Sequence, residues 1–275
     1  MEENLQIIQN NEDKEIGEKT MYKQSANSLF HFMGKPEYLE TKLKDKCLIP
    51  RYVIEEAEHF KIPNLTNIAY PMICFCDINL HRILPHAGEY GDYAISFSKE
   101  FSIKNSIQPI TYINTESNYF NCFKKALLSS FSDDNHLDDL AFEVISDSLI
   151  YTMSYMKRLK GNQKSKKNPS ELEKKNFHDE HEWRFIPDLS STDMPYFLTN
   201  AIEKNDLIEN YNNTLETIDN VKIFFDYEDI QYIFVKNEDS RKELINKILS
   251  FDISDDEKYL TISKISVLSL LKGDI

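Results

Sequence analysis

Glycine is scarce, with 6 in 275 residues against the ~7% of an average protein. A backbone cradle for phosphate needs glycines at fixed spacing, and neither a P-loop nor a GxGxxG pattern occurs, so any nucleotide must be held by side chains. The 4 cysteines, Cys47, Cys74, Cys76 and Cys122, are too sparse for a disulfide scaffold. No apolar run approaches the ~18 to 20 residues of a membrane span. The N-terminus is acidic and Asn-rich rather than basic and apolar, which does not resemble a secretory signal. These absences point to a cytoplasmic protein with reduced thiols and no membrane partner. Positive charge is also short: 32 Lys+Arg stand against 46 Asp+Glu, a net charge of -14. A surface this acidic repels phosphate backbones, which excludes general nucleic-acid coating unless the cations are gathered in one place.

They are gathered between Lys157 and Lys175, where KRLKGNQKSKKNPSELEKK holds eight cations and two anions, a local +6. Gly161, Pro169 and the polar run mark it as a mobile loop, and Lys164, Lys166 and Lys167 are its candidate contacts to nucleic acid or an acidic partner. Residues 1–26 carry Asn, Glu and Lys without a period that buries a face and read as a disordered acidic tail. Residues 27–275 read as a single α+β domain, a mixed or antiparallel sheet with flanking helices. Its expected strands are the aromatic run around Phe30 and the segments 68–75, 93–97, 109–113, 182–186, 221–225 and 231–235. Pro36 opens a helix with Leu39 and Leu43 one turn apart, residues 134–160 carry the longest helical period, and 240–249 a further helix. The stretch through Ile49, Pro50 and Arg51 reads as a connector.

Three further groupings carry candidate chemistry. Cys74 and Cys76 flank Phe75 in a strand, so both thiols share a face, with His81 and His86 downstream. Structural zinc normally uses a CxxC knuckle, and free cysteines in an apolar strand are commonly buried, so no metal is expected. Their setting beside Asp77 favours neutral thiols over a nucleophile. In Phe177-His178-Asp179-Glu180-His181-Glu182-Trp183-Arg184, an extended chain places Glu180, Glu182 and Arg184 on one side. Two such carboxylates either force a proton onto one another, giving an acid or base, or are held ionised by Arg184. His31, between two phenylalanines, is the remaining titratable group in an apolar strand.

Leu29-Phe30-His31-Phe32, then Tyr70-Pro71-Met72-Ile73-Cys74-Phe75-Cys76-Asp77-Ile78, then His86 with Tyr90-Gly91-Asp92-Tyr93, then Asn105 to Tyr112, then Glu180-His181-Glu182-Trp183-Arg184, together resemble the AbiGi-type abortive phage-resistance family. The likeness covers about residues 27–270. It implies antiphage defence and the antitoxin half of a pair whose toxin is a nucleotidyltransferase. At fold level, the His-bearing strand, the helix with spaced leucines and the Leu48-Ile49-Pro50-Arg51 connector are similar to the opening of ADP-ribosyltransferase-like domains. That similarity implies NAD as substrate, with His31 on a ribose hydroxyl and Arg51 nearby. Tyr90 or Tyr93 would lie against nicotinamide, with Tyr112 competing for the place, and Glu182 or Glu180 would stabilise oxocarbenium-like charge. Two classes of function follow: an NAD-using effector that modifies nucleic acid or protein, and a non-catalytic antitoxin-type module that neutralises a partner toxin.

Overall fold

Ten residues from Asn67 to Cys76, nine of them buried, organise the fold. In the computed structural model, residues 25–130, 139–164 and 172–274 are described. Their main sheet has nine strands: β1 (Ser28–Met33), β2 (Arg51–Glu56), β3 (Asn67–Cys76), β4 (Tyr93–Ser98), β5 (Gln108–Pro109), β6 (Glu182–Phe185), β7 (Leu198–Thr199), β8 (Ile230–Val235) and β9 (Ile265–Val267). The order β9-β8-β4-β1-β3-β6-β5 runs across the sheet, while β2 and β7 pair with the first half of β3. Only β8 and β9 are parallel, so the sheet is mixed within an α+β architecture.

Side-chain alternation along β3 distributes it among four apolar clusters. Ile68, Tyr70 and Met72 join Phe120, Leu127, Ile150 and Met153, from the helices Asn118–Ser130 and Asp139–Ser154. Ala69, on the other face, joins Tyr52, Ile208 and Leu215, from the helix Asn205–Leu215. Further along, Ile73 and Phe75 enter the largest cluster, with Leu39 and Leu43 of the helix Pro36–Asp45 and Leu244 and Ile248 of the helix Glu238–Leu249. Cys76 meets Ile83 and Ala87 of the helix Ile83–Tyr90. The even-numbered face of β3 is therefore covered by helices at its two ends. Between them lies Cys74, opposite Arg184 of β6.

Several expected elements differ in form. The connector at Arg51 is the start of β2, whose register runs from Arg51 opposite Met72 to Glu56 opposite Asn67. The expected strand 109–113 breaks at Ile110: Pro109 lies on β6, while Thr111–Ile113 runs parallel to Met156–Arg158. Of the expected helix 134–160, residues 131–138 lie outside the described residues, and the helix ends at Ser154 before that strand begins. The basic segment is no simple loop, since Lys160–Lys164 pairs with Leu172–Asn176 as a ribbon; residues 165–171, and residues 1–24 of the expected tail, lie outside the described residues. Expected strand 221–225 shrinks to Ile223–Phe224 because the turn Asp219–Val221 takes its start.

Gly91 joins the helix Ile83–Tyr90 to β4. Its φ is +122°, and a Cβ there would stand 2.3 Å from the Met33 carbonyl oxygen. Backbone cannot move aside as a flexible side-chain tip can, so alanine meets both strain and a clash. Gly91→Ala is expected to lower unfolding free energy by about 2 kcal/mol or more, measured by urea denaturation; a loss within error of zero contradicts this placement.

Candidate functional site

β6 places Glu182 opposite Cys76 and Arg184 opposite Cys74, so both charged side chains stand on the face of β3 left between the two helix-covered ends. Arg184 is fully buried. Its Nε donates to Glu182 at 2.7 Å, its Nη1 and Nη2 donate to the two oxygens of Glu55 at 2.8 and 2.5 Å, and Nη1 also reaches the Ser154 carbonyl at 2.5 Å. The second Glu182 oxygen accepts from Lys157 Nζ at 2.8 Å, and the same ammonium donates to Glu180 at 2.6 Å. Glu180 then accepts from Lys175 at 2.8 Å and from the Tyr90 hydroxyl. Lys175 ends the series on Glu89 at 3.2 Å. Charges thus alternate along Glu55, Arg184, Glu182, Lys157, Glu180, Lys175 and Glu89, a ladder that runs from the buried Arg184 out to the half-exposed Glu89.

Burial alone raises the pKa of Glu182, but Arg184 and then Lys157 overwhelm that cost and hold the carboxyl well below the usual range. For Glu180 the burial cost is likewise outweighed by Lys157, and its pKa also falls. Lys157 shows the converse: burial pulls it down, while Glu182, Glu55 and Glu180 push it further up. Burial raises the thiols of Cys74 and Cys76 well above their ordinary value, leaving them protonated. Charged hydrogen bonds of this geometry are the strong ones, and removing one partner leaves an uncompensated ion in the interior.

A cavity of about 270 Å³ adjoins the ladder, bordered by Tyr90, Glu180, Glu182, Lys157, His31 and Cys74 among others. The expected residues divide around it. Glu180, Glu182 and Tyr90 come together. His31 borders the cavity, but the Phe30–Cys76 and Glu182–Cys76 registers put Phe30 and Glu182 on one face of the sheet and the His31 side chain on the other. Its ring lies 5.6 Å from that of Phe75, and its Nδ1 is 2.8 Å from the Cys74 carbonyl. Burial, with Lys42 adding to it, holds the imidazole down at about 3, hence neutral. Tyr93 is buried in the large core, its hydroxyl 3.2 Å from Ser240. Arg51 is half exposed and pairs with Glu216 at 3.1 Å. Tyr112 accepts the Glu182 backbone N–H at 2.8 Å and so positions the strand. Lys166 and Lys167 lie outside the described residues, and Lys164 is the last described residue of its ribbon strand.

Glu180 and Glu182 do not share a side by simple extension, because Phe177–Glu180 forms a tight turn and His181 takes a left-handed φ of 45°. They converge through Lys157. Glu55, Lys157 and Lys175 were not among the expected site residues. The readable signal for the two lysines was the +6 segment directly preceding an acidic pair; Glu55 had none. Lys157, Lys175 and Arg184 all hold carboxylates, and Arg158 holds Glu56 at 2.5 Å. No group of three or more His, Cys, Asp or Glu suited to a metal ion occurs among the described residues.

Fold and site together define an α+β protein whose central charges are joined to one another, with no helix among the described residues long and apolar enough to cross a membrane. Residues 46–236 match the family described as "Putative abortive phage resistance protein AbiGi, antitoxin". The chain is also 36% identical, over 250 residues, to the abortive phage resistance protein AbiGi of Lactococcus lactis subsp. cremoris, covering 83% of this chain and 99% of that protein. The chain belongs to the AbiGi family. No solved structure matches it.

Arg184→Met removes the ladder's only fully buried cation partner for Glu55 and is expected to cost about 3–5 kcal/mol. Glu182→Gln keeps the Glu55–Arg184 and Lys157–Glu180 pairs and should cost less, about 1–3 kcal/mol; the reverse order in urea denaturation contradicts the ladder. Acid acts in two stages. His31 is held at about 3 and His59, by burial and then Arg158, at about 4, while unfolded histidine takes its proton near ~6.5, so their contribution is lost as pH falls from there. The lowered glutamates contribute fully above the unfolded value of ~4.3 and lose that contribution only below it. Unfolding free energy measured against pH should therefore begin to fall below about 6.5, and His31→Gln with His59→Gln should flatten the first stage alone. An unchanged slope in that double variant contradicts the assignment.

Proposed function

We propose that this chain acts in cytoplasmic phage defence as a non-catalytic, antitoxin-type binding module that neutralises a basic partner toxin. The observation that carries this reading is the closed charge ladder: Glu180 and Glu182 are each held by two cationic side chains, with pKa values moved down rather than toward neutrality. A general acid or base works best with its pKa near the operating pH, and a carboxylate that stabilises oxocarbenium-like charge must face the substrate, whereas the oxygens of these two already face Lys157, Lys175 and Arg184. The charge distribution supports the same role. The chain carries a net -14, and three cations of its most basic segment, Lys157, Arg158 and Lys175, are bonded to its own carboxylates. An acidic surface binds a basic partner quickly and in a salt-sensitive way. The antitoxin wording of the family description agrees with this reading.

The rival reading is NAD-dependent ADP-ribosyl transfer by Glu182 or Glu180 with Tyr90 against nicotinamide, and it draws on their shared cavity. Three measurements separate the two. For the binding module, overproduction of the wild type or of Glu182→Gln leaves growth of a bacterial host unchanged, titration calorimetry with NAD gives no binding heat, and deletion of the gene from its native host arrests growth. Growth arrest by the wild type alone that Glu182→Gln relieves overturns the binding-module reading, as does a harmless deletion.

A further inference from the structure

Among the described residues, β2 pairs with β3 along one side and with no strand along the other. Successive residues of an antiparallel strand turn their N–H and C=O groups to opposite sides, and two bonds fix the alternation here. Just past the strand, the Ala57 N–H donates to the Thr66 carbonyl at 2.9 Å, on the β3 side, while the Tyr52 N–H points away from β3 to Oδ1 of the buried Asn212 at 2.8 Å. Ile54 and Glu56 therefore turn their amides and carbonyls outward with Tyr52. Among the described residues nothing bonds to those groups.

The side chains leave the same edge open. Val53 and Ile54, on opposite faces, are each 36% exposed, and no proline, lysine or bulge interrupts the strand. Those are the usual devices that keep a free edge from pairing. The strands at the two ends of the sheet order are short by contrast: β5 has two residues and includes Pro109, and β9 has three. Asn212 closes the edge at Tyr52, so the open part runs from Ile54 to Glu56 and on toward Glu58. There Arg158 holds Glu56, while the exposed Glu58 makes no ion pair among the described residues, which leaves surplus negative charge.

We propose that the Ile54–Glu56 edge binds an extended segment of a basic partner protein as an added strand, its apolar side chains against Val53 and Ile54 and a lysine or arginine beside Glu58. A row of outward backbone donors and acceptors is complementary to another backbone. Main-chain bonds then supply affinity, and alternate side chains supply selectivity. The identity of the partner as a toxin rests on the binding-module reading.

The probe is the peptide acetyl-Lys-Val-Thr-Val-Thr-Val-Lys-amide, titrated into the full chain while amide exchange is followed by NMR. In the free chain the Ile54 and Glu56 amides should exchange at least about tenfold faster than those of Val53 and Glu55, which face β3. Saturating peptide should slow Ile54 exchange by about tenfold or more, and glutamates in place of its lysines should weaken binding by about fivefold. N-methylation of its three central residues keeps the side chains and should abolish binding. Ile54→Pro removes an outward N–H, where an edge strand accepts proline, and should abolish binding by the folded protein; the methylated peptide makes the same test without altering the chain. Equal exchange of Ile54 and Val53, a peptide that leaves Ile54 unprotected, or binding that survives methylation overturns the proposal. So does Ile54 protection that rises with chain concentration alone, since a second copy then fills the edge. The growth tests of the binding-module reading use no peptide, so the two fail separately.

Discussion

Beside Cys74 the sheet's central strand meets buried charge, and the pairing of Arg184 with Glu55 and Glu182 makes that stretch tenable. A fully buried guanidinium is costly to desolvate and is tolerated only when nearly every N–H has a carboxylate or carbonyl to meet. That requirement propagates. Glu182 needs a second cation, which brings in Lys157; Lys157 has room for another carboxylate, which brings in Glu180; and Glu180 draws Lys175 and Tyr90. The helix bearing Tyr90, the strand bearing Lys157 and the ribbon bearing Lys175 are thereby tied to β6 and, through Glu55, to β2. Apolar packing shapes the two ends of this face. Ionic geometry specifies the middle.

This changes the meaning of the charge pattern. The basic segment before the acidic pair looks like an exposed contact for nucleic acid, yet Lys157, Arg158 and Lys175 bond to glutamates of the same chain. Complementary charge close in sequence is here folded into complementary charge in space. The glutamates in turn are not poised to exchange protons, because cations on both sides stabilise their ionised form. Under the proposed reading, recognition falls to the acidic surface outside the ladder, since the ladder's own charges are already paired.

Much of the fold was readable where period and apolar content agreed. β1, β3 and β4 emerged within a residue or two, as did the pairing of leucines in Pro36–Asp45. The helix Asn205–Leu215 did not, because its sequence NDLIENYNNTL is dense in asparagine; only Ile208, Asn212 and Leu215 mark the buried face, and Asn212 earns its place by accepting the Tyr52 N–H at 2.8 Å. β2 hid behind Pro50 and a half-exposed pattern in which Glu55 looks like any surface acid. Of the candidate site, Glu180, Glu182, Arg184 and Tyr90 were legible as residue types worth attention. Their partners were not, since Glu55 lies 129 residues from Arg184 and that contact depends on β2 and β6 flanking different parts of one strand.

The account rests on both glutamates remaining ionised inside the ladder. Carbon-detected NMR titration of the Glu180 and Glu182 side-chain carboxyls tests this most directly. Both should stay charged from neutral pH down through the ordinary glutamate value of ~4.3. Titration of either one near pH ~6 to 7, the range of a working general acid, would contradict the account and restore a catalytic role to the pair.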